Sequence, residues 1–170
     1  VLEVDPTFSE FNMEAYRPEA LALRALSYFY LVRIFKDVPL VLQPSDNDNS
    51  DFFPPKTDGD SVLVKIKEDL KEARLRIRND YGNESENRGR ITQNAVDAII
   101  ADICLWNFEY EESLLYLDNI INSEKYFLKP TIGWFEIYNP GNSFEGIFEI
   151  QFDQQNGQGN RLYRDTYQRD

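Results

Sequence analysis

A long, nearly apolar segment at residues 19–41 constrains the fold of this chain more than any other feature. It favours a helix over about 18–36, since Pro18 suits a first helical turn and Pro39 follows the end. Apolar groups cover almost its whole circumference, which is typical of a helix enclosed by other helices. The polar exceptions are Arg24, Ser27 and Arg33. The sequence therefore predicts a helical protein with residues 21–35 at its centre.

Charge and composition exclude several classes of function. The 170 residues include 18 Lys and Arg against 30 Asp and Glu, which gives a formal net charge of −12 and argues against a nucleic-acid partner. Histidine is absent and Cys104 is the one cysteine, so the usual Ser–His, Cys–His and thiolate-cluster sites are excluded. We therefore predict no catalytic or metal residues and no cofactor. Cys104 is expected to be a buried thiol.

Three further helices are predicted over about 61–78, 93–108 and 110–122. The first of these has a single apolar stripe at spacings of three and four residues. The stripe consists of Val62, Ile66, Leu70, Ala73 and Ile77. Charged side chains of alternating sign occupy its other faces, which we expect to be solvated.

The last two predicted helices form an antiparallel pair, because only a tight corner near Phe108 separates them. Thr92 suits the N-cap of the first helix of the pair. Small side chains along this helix allow another helix to approach closely: Ala95, Ala98, Ala101 and Cys104. The predicted core positions of the second helix are Tyr110, Leu114, Leu117 and Ile121.

Beyond Lys125 the sequence becomes aromatic, and alternation over about 146–152 predicts a short strand. Four aromatic residues that could stack on sugars are expected to lie in the core instead: Trp106, Trp134, Tyr138 and Phe144. The Phe52–Phe53 pair either tucks into the domain or contacts a partner.

Two polar regions separate the predicted helices. Residues 43–60 and 79–91 are predicted to be a loop and a turn region. Within the first, Asp46, Asp48 and Ser50 match early positions of a calcium-binding loop, but its glycine and closing glutamate are missing. The paired carboxylates, which are Glu111 with Glu112 and Glu145 with Glu149, are interpreted as solvated side chains.

Four landmarks in the same order resemble the SusD/RagB family of outer-membrane nutrient-uptake lipoproteins. Residues 19–40 fit the pattern E-A-x-x-L-R-A-x-x-Y-F-x-L-x-x-x-F-x-D-V-P-L, and residues 66–73 fit I-x-x-D-L-x-x-A. The third landmark is Gly-Arg-Ile-Thr at residues 89–92, and the fourth is the segment at residues 142–152. Lys36 stands where the family often has glycine, and Ser113 where it usually has alanine.

The resemblance implies a mostly α fold of tetratricopeptide-like antiparallel helical hairpins, with a short strand and loop region near the C-terminus. It implies that residues 1–170 are one SusD-like helical-repeat domain and a fragment of a longer protein. That protein would be a surface-exposed, lipid-anchored binder of oligosaccharides or peptides in the cell outer membrane, and not an enzyme. It would deliver them to a TonB-dependent transporter. The resemblance assigns no ligand-binding residue here.

A second hypothesis stays open. Residues 105–121 resemble the second half of a tetratricopeptide repeat, which favours an adaptor that binds proteins or peptides in a groove.

Overall fold

The computed structural model describes residues 10–43, 53–138 and 141–152. The fold is mostly helical, as predicted. Five α-helices are present in these ranges: α1 Glu10–Phe35, α2 Gly59–Arg74, α3 Glu84–Gly89, α4 Gln93–Trp106 and α5 Tyr110–Asn122. A 3₁₀ helix covers Thr131–Ile137. Two short strands, β1 Val38–Pro39 and β2 Lys56–Thr57, pair antiparallel with Val38 opposite Thr57.

Helix α1 differs from its predicted form in two ways. It begins at Glu10, so Pro18 lies inside the helix and not in its first turn. Pro18 is buried, and as a proline it donates no backbone hydrogen bond within the helix. The second difference is that α1 is buried along one face only, because α2 and α4 cover that side and no described helix covers the other. The prediction of an enclosed central helix is therefore wrong.

The predicted apolar stripe is confirmed, since all five of its residues are buried. Helix α2 ends at Arg74 and not near residue 78, so Ile77 lies beyond its end. The core lies where α1 and α4 pack against α2. The stripe fixes which face of α2 points inward, and Asp58 caps the helix by accepting a hydrogen bond from the N–H of Ser61 at 2.9 Å.

The junction between α1 and α2 depends on a close backbone approach. Asp37 Oδ1 accepts a hydrogen bond from the N–H of Gly59 at 3.1 Å. A Cβ atom at position 59 would lie 2.8 Å from the carbonyl oxygen of Lys36, so only glycine fits there without a shift. This explains why an aspartate and a glycine, 22 residues apart, stand at the two helix ends.

Lys36 ends α1 in the left-handed region, with φ of 63°. Its N–H donates to the carbonyl oxygen of Val32 at 2.8 Å, as in a helix C-terminal turn. A side chain costs roughly 1 kcal/mol in this conformation, which glycine avoids. We expect Lys36→Gly to raise the free energy of unfolding by about 1 kcal/mol in urea unfolding. Lys36→Ala keeps its Cβ and should give no gain. Equal stability of the two variants would contradict this account.

Helices α4 and α5 form the predicted hairpin. Thr92 Oγ1 accepts a hydrogen bond from the N–H of Ala95 at 3.3 Å, which confirms the predicted cap. Cys104 is buried, as expected. Phe108 turns the chain with φ of 61°.

Three of the four predicted core positions of α5 are wrong, since Tyr110, Leu114 and Ile121 are exposed. The fourth, Leu117, is half-buried, and the buried residues of the helix are Ser113 and Ile120. Ser113 is small enough for close contact with α4, and its hydroxyl donates to the carbonyl oxygen of Ala101 at 3.1 Å. Because α5 packs on α4 through this side, its apolar stripe faces outward in the described part of the chain.

The predicted strand over 146–152 is also wrong. The segment joins no sheet among the described residues. Its backbone is held by the end of α3 instead, since the N–H of Glu149 donates to the carbonyl oxygen of Arg88 at 2.7 Å. Ile147 and Phe148 pack against the core, whereas Ile150 and Phe152 are exposed. Helix α3 lies inside the region that the sequence predicted to be a turn.

The aromatic residues expected in the core are not buried. Trp106 and Trp134 are about half exposed, and Tyr138 and Phe144 are also exposed. Residues of the 3₁₀ helix contact one another, as when Trp134 meets Tyr138 edge-on with ring centroids 5.5 Å apart. Phe53 is 92% exposed, so it does not tuck into the domain. Phe52 and the Asp46, Asp48 and Ser50 set lie outside the described residues.

Candidate ligand-binding site

The polar residues of the sequence landmarks join the helices of the scaffold. Arg24 of α1 donates through Nη2 and Nε to Asp69 Oδ2 of α2, at 2.6 and 3.0 Å. Asp69 is only 2% exposed, so the prediction that the charged faces of α2 are solvated is wrong at this position. Lys65 adds a second cation 3.3 Å from Asp69 Oδ1. A buried carboxylate of this kind requires such partners.

A second ion pair joins the first landmark to the third. Arg90 contacts the Glu19 carboxylate through both Nε and Nη2, with Nε 3.3 Å from Oε2. Its guanidinium lies 4.0 Å from the ring centroid of Tyr81, whose hydroxyl donates to the carbonyl oxygen of Ile91 at 2.9 Å. Burial raises the pKa of Tyr81 to about 12, so the hydroxyl stays protonated as a donor.

A lysine network ties α2 to α5. Lys67 Nζ lies 2.5 Å from Glu109 and 2.9 Å from Glu112, and Lys71 also contacts Glu112 at 2.9 Å. These hydrogen bonds from Lys71 and Lys67 lower the pKa of Glu112. Burial raises the pKa of the Cys104 thiol to about 11.

One trio in the described ranges has the spacing of a metal site, and it lies in this network. The ligand atoms of Cys104, Glu109 and Glu112 lie within 4.8 Å of one another. The Lys67 ammonium contacts both carboxylates and so already supplies their positive charge. The Cys104 thiol beside the two carboxylates stays protonated. These residues and Lys67 are therefore better described as an ion-pair network than as a metal site.

Two of the other carboxylates singled out in the sequence hold loop backbone. Glu145 Oε2 accepts a hydrogen bond from the N–H of Lys129 at 2.9 Å, and Glu149 Oε2 accepts one from Asn142 at 3.0 Å. Both are half-buried and hold loop backbone, which differs from the solvated state expected of them. Glu111 is exposed, as expected, whereas Glu112 is half-buried in the lysine network and not solvated as predicted.

An apolar groove of about 350 Å³ opens between α1 and α4. Phe29 and Leu26 line one side, and Ala98 and Ile99 line the other. Phe148 also lines it, together with the acidic residues Asp102 and Glu145.

A smaller cavity of about 160 Å³, here called the polar pocket, has the more varied chemistry. The loop before α3 shapes it: Asp80 Oδ1 accepts hydrogen bonds from the N–H of Gly82 and from Asn87 Nδ2, at 2.7 and 2.9 Å. Gly82 has φ of 99°, which glycine adopts readily. These hydrogen bonds lower the pKa of Asp80. Its lining includes Asp80, Asn87, Arg88, Lys125, Phe127 and Phe144, and also the acidic residues Glu84 and Glu124.

Sequence analysis did not find the polar pocket. The residues after α5 and at Phe144 reach it from positions far along the chain. The glycine and asparagine residues near position 82 indicated a turn, but no spacing in the sequence brings the other segments to it.

Residues 1–105 match the model of the SusD-like family, which is described as starch-binding and associating with the outer membrane. This match covers more than half of the chain. The chain belongs to the SusD-like family. The resemblance drawn from the four sequence landmarks is thereby confirmed.

Relatives of this SusD-like chain agree in sequence and in fold. SusD-like protein P25 of Formosa agariphila is 25% identical over 136 residues, which cover 79% of this chain and 25% of that protein. A SusD superfamily protein from Bacteroides vulgatus is 27% identical with a TM-score of 0.73, over 88% of this chain and 31% of that one. A laminarin-binding SusD-like protein is 25% identical with a TM-score of 0.63, over 78% and 27%. The chain spans about a quarter to a third of the length of these relatives.

None of the helices in the described ranges combines the length and the apolar character that crossing a membrane requires.

Proposed function

We propose that this chain is the helical-repeat part of a longer, non-catalytic glycan-binding protein of the cell outer membrane. The family match over residues 1–105 carries this proposal, because the description of that family joins starch binding to the outer membrane. The laminarin-binding relative supports a glucose polymer as the ligand class. In this proposal the complete protein is surface-exposed and lipid-anchored, and it passes its ligand to a TonB-dependent transporter.

The structure supports a binding role in two ways. Ion pairs between the landmarks, such as Arg24 with Asp69, fix the helices as a scaffold on which loops can present a ligand site. Glu145 and Glu149 are the two carboxylates that could be interpreted as an acid and base pair, and each accepts a hydrogen bond from a different backbone N–H group. Glycosidase chemistry needs two carboxyl groups that flank the scissile bond, so binding without hydrolysis is the better account.

The test is calorimetric titration of the complete protein with maltohexaose and laminarihexaose, together with thin-layer analysis of the recovered sugars. We expect saturable binding of at least one oligosaccharide without cleavage. Affinity purification from solubilised outer membranes should recover a TonB-dependent transporter. Binding of unstructured peptides in place of sugars, with no transporter recovered, would contradict the proposal and favour the adaptor hypothesis.

A further inference from the structure

We propose that the polar pocket binds one pyranose ring of a neutral glycan. The inference rests on the proposed function, since it locates one sugar contact within that function. The cavity of about 160 Å³ is roughly half of the 300 Å³ at which pockets for drug-sized ligands begin. It therefore has room for a single sugar ring and not for a chain of them.

One wall of the pocket is aromatic. The rings of Phe127 and Phe144 stack with centroids 4.9 Å apart and an interplanar angle of 21°. The N–H of Phe127 donates to the carbonyl oxygen of Phe144 at 3.1 Å, which fixes the two segments together. The residues nevertheless remain 56% and 43% exposed, so aromatic surface is left for a ligand. The C–H face of a pyranose ring packs well on such an aromatic surface.

Other lining residues supply hydrogen-bonding groups. Asp80 Oδ1 is already engaged by Gly82 and Asn87, but Oδ2 accepts no hydrogen bond from the described residues. Lys125 Nζ donates to the carbonyl oxygen of Asn79 at 3.0 Å, and an ammonium group has three donors. The pocket thus offers both a charged acceptor and unused donors. Sugar hydroxyls, which donate and accept, can use both kinds of group.

The charges of the pocket favour a neutral ligand. Arg88 is 2% exposed, and its Nη2 lies 3.0 Å from Glu84 Oε2. Its Nε donates to the carbonyl oxygen of Ser143 at 3.0 Å, and the Tyr126 ring centroid lies 4.7 Å from the guanidinium. The positive charge is therefore compensated within the protein. A net charge of −12 also disfavours phosphorylated or uronic-acid ligands through long-range repulsion.

Calorimetry on pocket variants of the complete protein tests this inference with maltohexaose and laminarihexaose as probes. Asp80→Asn removes the charge of the acceptor at nearly constant size, and Phe144→Ala removes one ring. Each is expected to raise the Kd of the bound oligosaccharide about tenfold. Because the two changes are of different kinds, loss of folding in one, seen by circular dichroism, leaves the other informative.

Asp118→Asn and Phe135→Ala serve as matched controls, since both residues are exposed and lie outside the pocket lining. They should leave the Kd unchanged. Unchanged affinity in both folded pocket variants, with binding by the parent protein, would overturn the pocket assignment and leave the proposed function standing. If the parent protein binds no glycan at all, the proposed function fails and this inference fails with it.

Discussion

Phe29→Ala is expected to lower the free energy of unfolding by about 3–5 kcal/mol. Phe29 is 1% exposed in the core between α1 and its neighbours, and truncation removes both its buried surface and the contacts of its ring. One of these is an edge-on contact with Trp106, with centroids 6.4 Å apart. Arg33 also lies over the ring, at 5.1 Å from its centroid. Urea unfolding followed by circular dichroism measures the loss.

Tyr30→Ala is the control for this prediction, because it removes an aromatic ring at the adjacent position of the same helix. Tyr30 is 55% exposed, and we expect a loss of about 0.5 kcal/mol or less. Equal losses of unfolding free energy in the two variants would contradict the assignment of Phe29 to the buried face of α1 and of Tyr30 to its exposed face.

Arg24→Met is expected to cost about 2–3 kcal/mol of unfolding free energy. The change leaves the buried Asp69 carboxylate with Lys65 as its remaining ion-pair partner, and breaking a buried ion pair is strongly destabilising. The partial exposure of Arg24 and the remaining lysine keep the loss below that of a fully buried pair. Urea unfolding at neutral pH checks the value.

Two further variants separate the charge from the packing. Arg33→Met removes an arginine of the same helix whose partner Asp102 is exposed, and it should cost about 1 kcal/mol or less. The double variant Arg24→Met with Asp69→Leu leaves no buried charge at this site and should recover most of the loss. A double variant as unstable as Arg24→Met alone would show that the ion pair is not the cause.

The sequence allowed four of the five described α-helices to be predicted because their signals are local. The apolar stripe and the Thr92 cap depend on residues three or four positions apart, and both were confirmed. The family landmarks gave the fold class by resemblance. They did not show that Arg24 meets Asp69, because partners 45 residues apart leave no periodic signal.

Burial was predicted less well, for a physical reason. An apolar stripe shows which face of a helix can be covered, but not whether another element covers it. Leu114 and Ile121 follow the helical period and yet are exposed, since among the described residues α5 packs through Ser113 and Ile120. The exposed apolar face of α1 and the exposed ring of Trp134 show the same limit. The polar pocket was beyond prediction because separate chain segments form it.

The pairing of Val38 with Thr57 has a consequence for how such proteins can diversify. It brings together the two ends of the connection between α1 and α2, beside the contact of Asp37 with Gly59. The entropy of closing a loop grows only slowly with its length. Insertions and deletions between the two strands should therefore be tolerated during evolution while the helices keep their packing. The α1–α2 connection can therefore change in length and sequence with little loss of folding stability.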